Sequence, residues 1–167
     1  VGHDGANQSL KKPSPRAVPS LAGLRVLVVD DSPTCQIIAR TLLERAGIEV
    51  GCAASGALAL DTLGREPFDL VLMDIELPDM DGFETARRIR QHASPAELPI
   101  VAMTAHDIDR QGQACLACGL NGVLAKPIAL EELLAVLRAW RWPPGTAGIR
   151  SCRVREFPLW FFKKQHV

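Results

Sequence analysis

The sequence predicts an α/β domain: a parallel sheet covered by helices on both faces. Three observations point there. Short, branched, apolar runs of strand length recur along the chain, as strands buried on both faces do. Between them lie stretches with apolar residues at helical spacing. Ser, Pro and Gly stand where such helices would start and stop.

Residues 1–23 read as a linker, with Pro13, Pro15 and Pro19 among Ser, Lys and Arg and no apolar period. The domain spans 24–140. Val26 to Val29 forms the first strand and ends in Asp30-Asp31. Ser32-Pro33 starts a helix carrying Ile38, Leu42 and Ala46 at i, i+4, i+8, and Gly47 stops it. Ile48 to Ala53 is a weaker second strand. Ser55 caps a helix with Leu58, Leu60 and Leu63 that runs to about Gly64. Phe68 to Asp74 is the third strand, again ending in Asp. A loop with Pro78 and Gly82 leads to a helix with Phe83, Ala86 and Ile89 on one face. Pro99 to Thr104 is the fourth strand, and a helix follows from about Asp107 to Cys118. Gly122 to Ala125 is the fifth strand, ending in Lys126-Pro127. The last helix carries Leu130, Leu133, Leu134 and Leu137 at i, i+3, i+4, i+7. Pro143-Pro144-Gly145 breaks the pattern. Residues 141–167 read as a basic C-terminal extension or a non-native tail outside the domain.

Composition narrows the function classes. Of 167 residues, 47% are apolar and 23% charged, and 19 Lys and Arg balance 19 Asp and Glu. Such a chain carries no overall field that would draw it to nucleic acid or an anionic membrane. No apolar run is long enough to span a bilayer, and the start at Val1 is not signal-like, so the chain reads as a fragment or a processed product. Five scattered cysteines suggest no disulfide framework, and Cys115-Leu-Ala-Cys118 lacks the second pair a zinc site needs.

The chemistry lies at the strand ends. In a parallel α/β sheet the strand C-termini gather along one edge, where ligands bind. Asp30 and Asp31 end strand one, Asp74 strand three, Thr104 strand four and Lys126 strand five. Three carboxylates so close repel one another and call for a cation; Mg²⁺, with its preference for hard oxygen ligands, suits them. Lys126 adds positive charge and Thr104 a hydroxyl donor. A carboxylate nucleophile, a metal, a Lys and a hydroxyl make a site for in-line phosphoryl transfer, with an aspartyl phosphate as product. For any single position the plainer reading is a helix cap or a surface charge. Five positions together weigh against it.

These residues resemble the receiver domain of two-component response regulators. The matching pieces are Val28-Val29-Asp30-Asp31-Ser32, the run from Asp69 to Gly82, Met103-Thr104-Ala105 and Lys126-Pro127. Motif identity, order and spacing agree over about Leu24 to Trp140. The resemblance implies a flavodoxin-like doubly wound five-stranded parallel sheet with strand order 2-1-3-4-5. It implies Asp74 as phospho-acceptor. The metal, Mg²⁺ or Mn²⁺, would be held by Asp30, Asp31, Asp74 and the backbone carbonyl of Glu76. Thr104, Ala105 and Lys126 would bind the phosphoryl group and switch. The Lys126-Pro127 bond is often cis in this family. Glu76 and His106 are candidates to tune hydrolysis. In one place the chain departs from the family. Three residues before the Lys, where the family usually carries Tyr or Phe, stands Val123.

The resemblance further implies a phosphoryl donor, either a histidine kinase or a histidine phosphotransfer protein, and no nucleic acid or membrane contact by this fragment. The run from Asp74 to Gly82, with Ala125-Lys126-Pro127-Ile128, looks most like receivers of hybrid sensor histidine kinases, which places the domain in the cytoplasm. Such a domain promotes its own phosphorylation and dephosphorylation and is not a turnover enzyme. A phosphatase of the haloacid dehalogenase type would need an acid/base Asp two residues after Asp30, where Ser32 stands. A binding module that never takes phosphate is hard to reconcile with all five site residues.

Overall fold

The computed structural model describes residues 21–93, 97–106, 114 and 117–139. Among them five strands, β1 (Arg25–Val29), β2 (Glu49–Ala53), β3 (Leu70–Asp74), β4 (Ile100–Thr104) and β5 (Gly122–Ala125), form one sheet. The order is β2-β1-β3-β4-β5 and every pairing is parallel. Four helices are described: α1 (Pro33–Arg45), α2 (Gly56–Arg65), α3 (Gly82–Arg90) and α4 (Leu130–Ala139). The expected strand order and the helix cover are both met. The helix expected from Asp107 to Cys118 lies largely outside the described residues, as do Cys115, most of the linker and the C-terminal extension.

Strand alternation divides the core in two. Val26, Val28, Leu70, Leu72, Val101, Met103 and Leu124 face one way and meet Leu43 of α1 and Leu133 and Leu137 of α4. Leu27, Val29, Val71, Met73, Ile100, Ala102 and Val123 face the other way and meet Ala59 of α2 and Ala86 and Ile89 of α3. Because β1, β3 and β4 are covered on both faces, their sequences are apolar without alternation. Leu21 is buried in the first cluster, so packing begins three residues before Leu24.

Local signals account for the helix boundaries. Ser32 accepts the Cys35 N–H across 3.4 Å ahead of Pro33, Ser55 accepts that of Leu58 and Asp81 that of Glu84. Gly47 takes φ +80°, the left-handed turn that lets α1 give way to β2. Strand edges differ slightly from expectation: β2 begins at Glu49, β3 at Leu70 and β4 at Ile100, and α2 extends to Arg65.

One expectation needs correcting. The sequence places the apolar stripe of α1 on Ile38, Leu42 and Ala46. The face against the sheet is instead centred on Ala39 and Leu43, with Leu42 and Ala46 beside them, and Ile38 is 46% exposed. Leu58 of α2 is likewise 51% exposed, while Ala59 is fully buried. The reason is shared. Each helix buries a small alanine against the sheet, and the larger neighbour one residue away turns outward by a helical step.

Candidate functional site

The carboxyl ends of β1, β3, β4 and β5 bring the expected residues to one edge. Asp30 follows β1 and is fully buried. Its N–H donates to the Ala53 carbonyl, which extends the β1–β2 ladder by one rung. Its Oδ1 accepts the Ser32 N–H at 2.9 Å, and its carbonyl accepts from Gln36 Nε2 at 2.6 Å. Asp31, next along, is exposed. Asp74 is the last residue of β3 and is 5% exposed; its Oδ1 accepts the Glu76 N–H at 3.1 Å.

Lys126 joins the two buried acids. Its Nζ lies 2.7 Å from Asp30 Oδ2 and 2.9 Å from Asp74 Oδ2. The peptide bond from Lys126 to Pro127 is cis, and the Lys126 N–H donates to the Thr104 carbonyl at 2.7 Å, tying β5 to the end of β4. Burial raises the Asp74 carboxyl above its ordinary value. The Lys126 hydrogen bond, the Glu76 N–H and the Lys126 charge oppose it, and the neighbouring Asp30 charge adds to the rise. Burial pulls the Lys126 ammonium down, but hydrogen bonds to Asp30 and Asp74 and their charges outweigh it, so the lysine is raised and stays charged.

One carboxylate oxygen from each of Asp30, Asp31 and Asp74 falls within 4.8 Å of the others. Lys126 offsets one of these three negative charges, which leaves two. A divalent cation held by oxygen ligands matches both the donor set and that charge.

Thr104 ends β4 and is 3% exposed; its Oγ1 accepts the His106 N–H at 3.0 Å. Its own O–H is free to rotate toward a ligand. Ala105, next along, is exposed. Glu76 and His106 come together: His106 Nδ1 lies 2.9 Å from Glu76 Oε1, both side chains more than half exposed. They bridge the loops after β3 and β4. Val123 is buried beside its strand partner Ala102 and carries no polar group toward the edge.

Three contributors went unseen in the sequence. Gln36 reaches Asp30 from the first turn of α1. Asp79 reaches across from the loop after β3 to the start of α2. Arg90 donates to the Gly119 and Leu98 carbonyls and to Asn121 Oδ1, fixing the end of α3 to the approaches of β4 and β5. None carries a local signal, because each partner is set by tertiary placement.

Comparison with known proteins agrees with this geometry. The family model described as "Response regulator receiver domain" matches residues 26–138. The chain is 42% identical over 121 residues to Sensor histidine kinase GacS of Pseudomonas protegens, covering 70% of this chain and 13% of that protein. It is 38% identical over 132 residues to Signal transduction histidine-protein kinase BarA of Escherichia coli, covering 79% of this chain and 14% of that one. It thus spans only a small part of these curated relatives. Among solved structures it is similar to chemotaxis protein CheY4 of Vibrio cholerae, with TM-score 0.65 and 34% identity over 69% of this chain and 96% of that one. It is similar also to the receiver domain of sensor histidine kinase PA1611 from Pseudomonas aeruginosa, which has a magnesium ion coordinated in its active site cleft. That match has TM-score 0.65 and 35% identity over 71% of this chain and 98% of that one.

Proposed function

This chain belongs to the response regulator receiver domain family, a phospho-accepting module of two-component signalling, and we propose that Asp74 is its acceptor. The observation that carries this is the pairing of Lys126 with both Asp30 and Asp74 in the only cluster of three acids, among the described residues, that could hold a metal ion.

Asp74 is poised for the task. Its two oxygens are oriented by Lys126 and by the Glu76 N–H. Burial strips water from the carboxylate, which strengthens it as a nucleophile. Attack on the phosphorus of a phosphohistidine forms a P–O bond and breaks the P–N bond. The imidazole leaves with a proton drawn from solvent, and an acyl phosphate remains. Lys126 offsets the charge gathering on the phosphoryl oxygens, and Thr104 offers its O–H to one of them. Asp30, Asp31, Asp74 and the Glu76 carbonyl would hold Mg²⁺, which supplies charge neutralisation at the phosphoryl oxygens when bound. Ala105 leaves the path to Asp74 open.

We assign residues 24–140 to the domain, with Leu21 packing onto it from the linker before it and a C-terminal extension after it. It serves a parent hybrid sensor histidine kinase on the cytoplasmic side. The donor is that kinase or a histidine phosphotransfer protein. Support comes from relatives that are sensor kinases of which this chain matches only a small share. No helix among the described residues is long and apolar enough to cross a membrane. The phosphoryl group biases a surface read by a partner through Thr104, without an aromatic partner at Val123. Transfer of label from a histidine-phosphorylated phosphotransfer domain tests this reading. Label should pass to the wild-type chain and not to Asp74→Ala; transfer to both, or to neither, would refute it.

A further inference from the structure

We propose that Asp79 is a positioning residue for the metal end of the site: it clamps the loop after β3 onto the start of α2 and so fixes where the Glu76 carbonyl points. The inference rests on the reading that this carbonyl is a metal ligand.

Asp79 Oδ1 accepts the Gly56 N–H at 3.0 Å and Oδ2 accepts the Ala57 N–H at 2.9 Å. These donors belong to the first turn of α2, where N–H groups have no partner within the helix and its positive end lies. Ser55 takes the Leu58 N–H, so the two side chains divide the cap between them. The two bonds, that from Ala57 foremost, hold the Asp79 carboxyl below its ordinary value against a smaller opposing effect of burial. Met80, the next residue, packs so tightly on Gly56 that a Cβ there would lie 2.5 Å from Met80 Cγ. The α2 anchor is itself seated in the core through fully buried Ala59.

At the loop's other end the Glu76 N–H is fixed on Asp74 Oδ1, and the Ile75 carbonyl accepts the Gly82 N–H at 2.8 Å. The Glu76 peptide is therefore held between the acceptor and a clamp on α2. A carbonyl ligand has no side chain with which to adjust its aim. Whatever fixes the loop fixes the ligand.

Titration of the full chain with Mg²⁺ alone, followed by calorimetry, tests the inference. Asp79→Ala should weaken Mg²⁺ binding roughly 10-fold, the low end of what losing a ligand-orienting partner does. Asp79→Asn keeps one acceptor oxygen and should fall between, and it carries the test if the alanine variant does not fold. Ser55→Ala removes the other half of the cap. It should lower the urea midpoint yet bind Mg²⁺ as wild type does. Wild-type affinity in both Asp79 variants, or equal weakening in Ser55→Ala, would overturn the proposal. A wild-type chain that takes up no Mg²⁺ would instead overturn the metal reading beneath it.

Discussion

Replacing Lys126 with Met removes the ammonium from between Asp30 and Asp74 and leaves most of the aliphatic stem in place. The two acids that remain have side chains only 1% and 7% exposed. One carboxylate oxygen of each lies within 4.8 Å of one of the other. At an effective dielectric of about 20, two unit charges at that distance repel by roughly 3.5 kcal/mol. Removing one partner of a buried pair typically costs about 3–5 kcal/mol. Proton uptake by Asp74 relieves part of the repulsion, so a loss of about 3 kcal/mol is expected at pH 7 in EDTA. Excess Mg²⁺ should return more stability to the variant than to wild type, since a cation replaces the missing charge. A tenfold excess over Kd contributes about 1.4 kcal/mol to any form that binds. Urea unfolding followed by circular dichroism measures both quantities, provided the slope is unchanged. A loss below about 1 kcal/mol in EDTA would show that Lys126 does not hold two charged acids together.

Other expectations follow from the same geometry. Burial lifts the Asp74 carboxyl above its ordinary 3.8. The folded chain therefore binds that proton more tightly than the unfolded one, and Asp74's contribution to stability is lost as pH rises through the folded value. Asp74→Asn should then be more stable than wild type in EDTA at pH 7, with the advantage shrinking toward pH 3; thermal melts at both pH values decide it. Gly82→Ala should cost about 1–3 kcal/mol in urea unfolding, because its Cβ would collide with the Asp74 carbonyl and stand 2.8 Å from Ile75 Cα, both backbone. Arg90, whose pKa burial pulls down to about 10, donates to the Ala93, Leu98 and Gly119 carbonyls and to Asn121. Arg90→Met should cost about 2 kcal/mol in a urea titration with Mg²⁺ binding unchanged. Ile37→Ser, at a position 65% exposed, should change stability by no more than about 0.5 kcal/mol in the same titration.

Much of the fold was legible because β1, β3 and β4 are buried on both faces, and unbroken apolar runs such as Val26 to Val29 record that directly. The site was legible for a related reason. A polar residue that closes an apolar strand has few places to go except the carboxyl edge, and Asp30, Asp74, Thr104 and Lys126 all went there. The helix faces were less legible. Ala39 and Ala59 weigh little in any count of hydrophobicity, yet both are buried, whereas Ile38, which the sequence places on the apolar stripe, faces out. Asp79 and Arg90 were missed because their partners lie more than 20 residues away in sequence or on main-chain atoms, which no side-chain pattern reports.

On the proposed reading, Asp74 takes a phosphoryl group because Asp30, Asp31 and Lys126 surround it. Incubation with acetyl phosphate and Mg²⁺, read by intact mass, tests it most directly. Wild type should gain one phosphoryl group, Asp74→Ala none, and wild type in EDTA far less. Labelling of Asp74→Ala to the wild-type extent, or an unlabelled wild type, would rule out Asp74 as the acceptor.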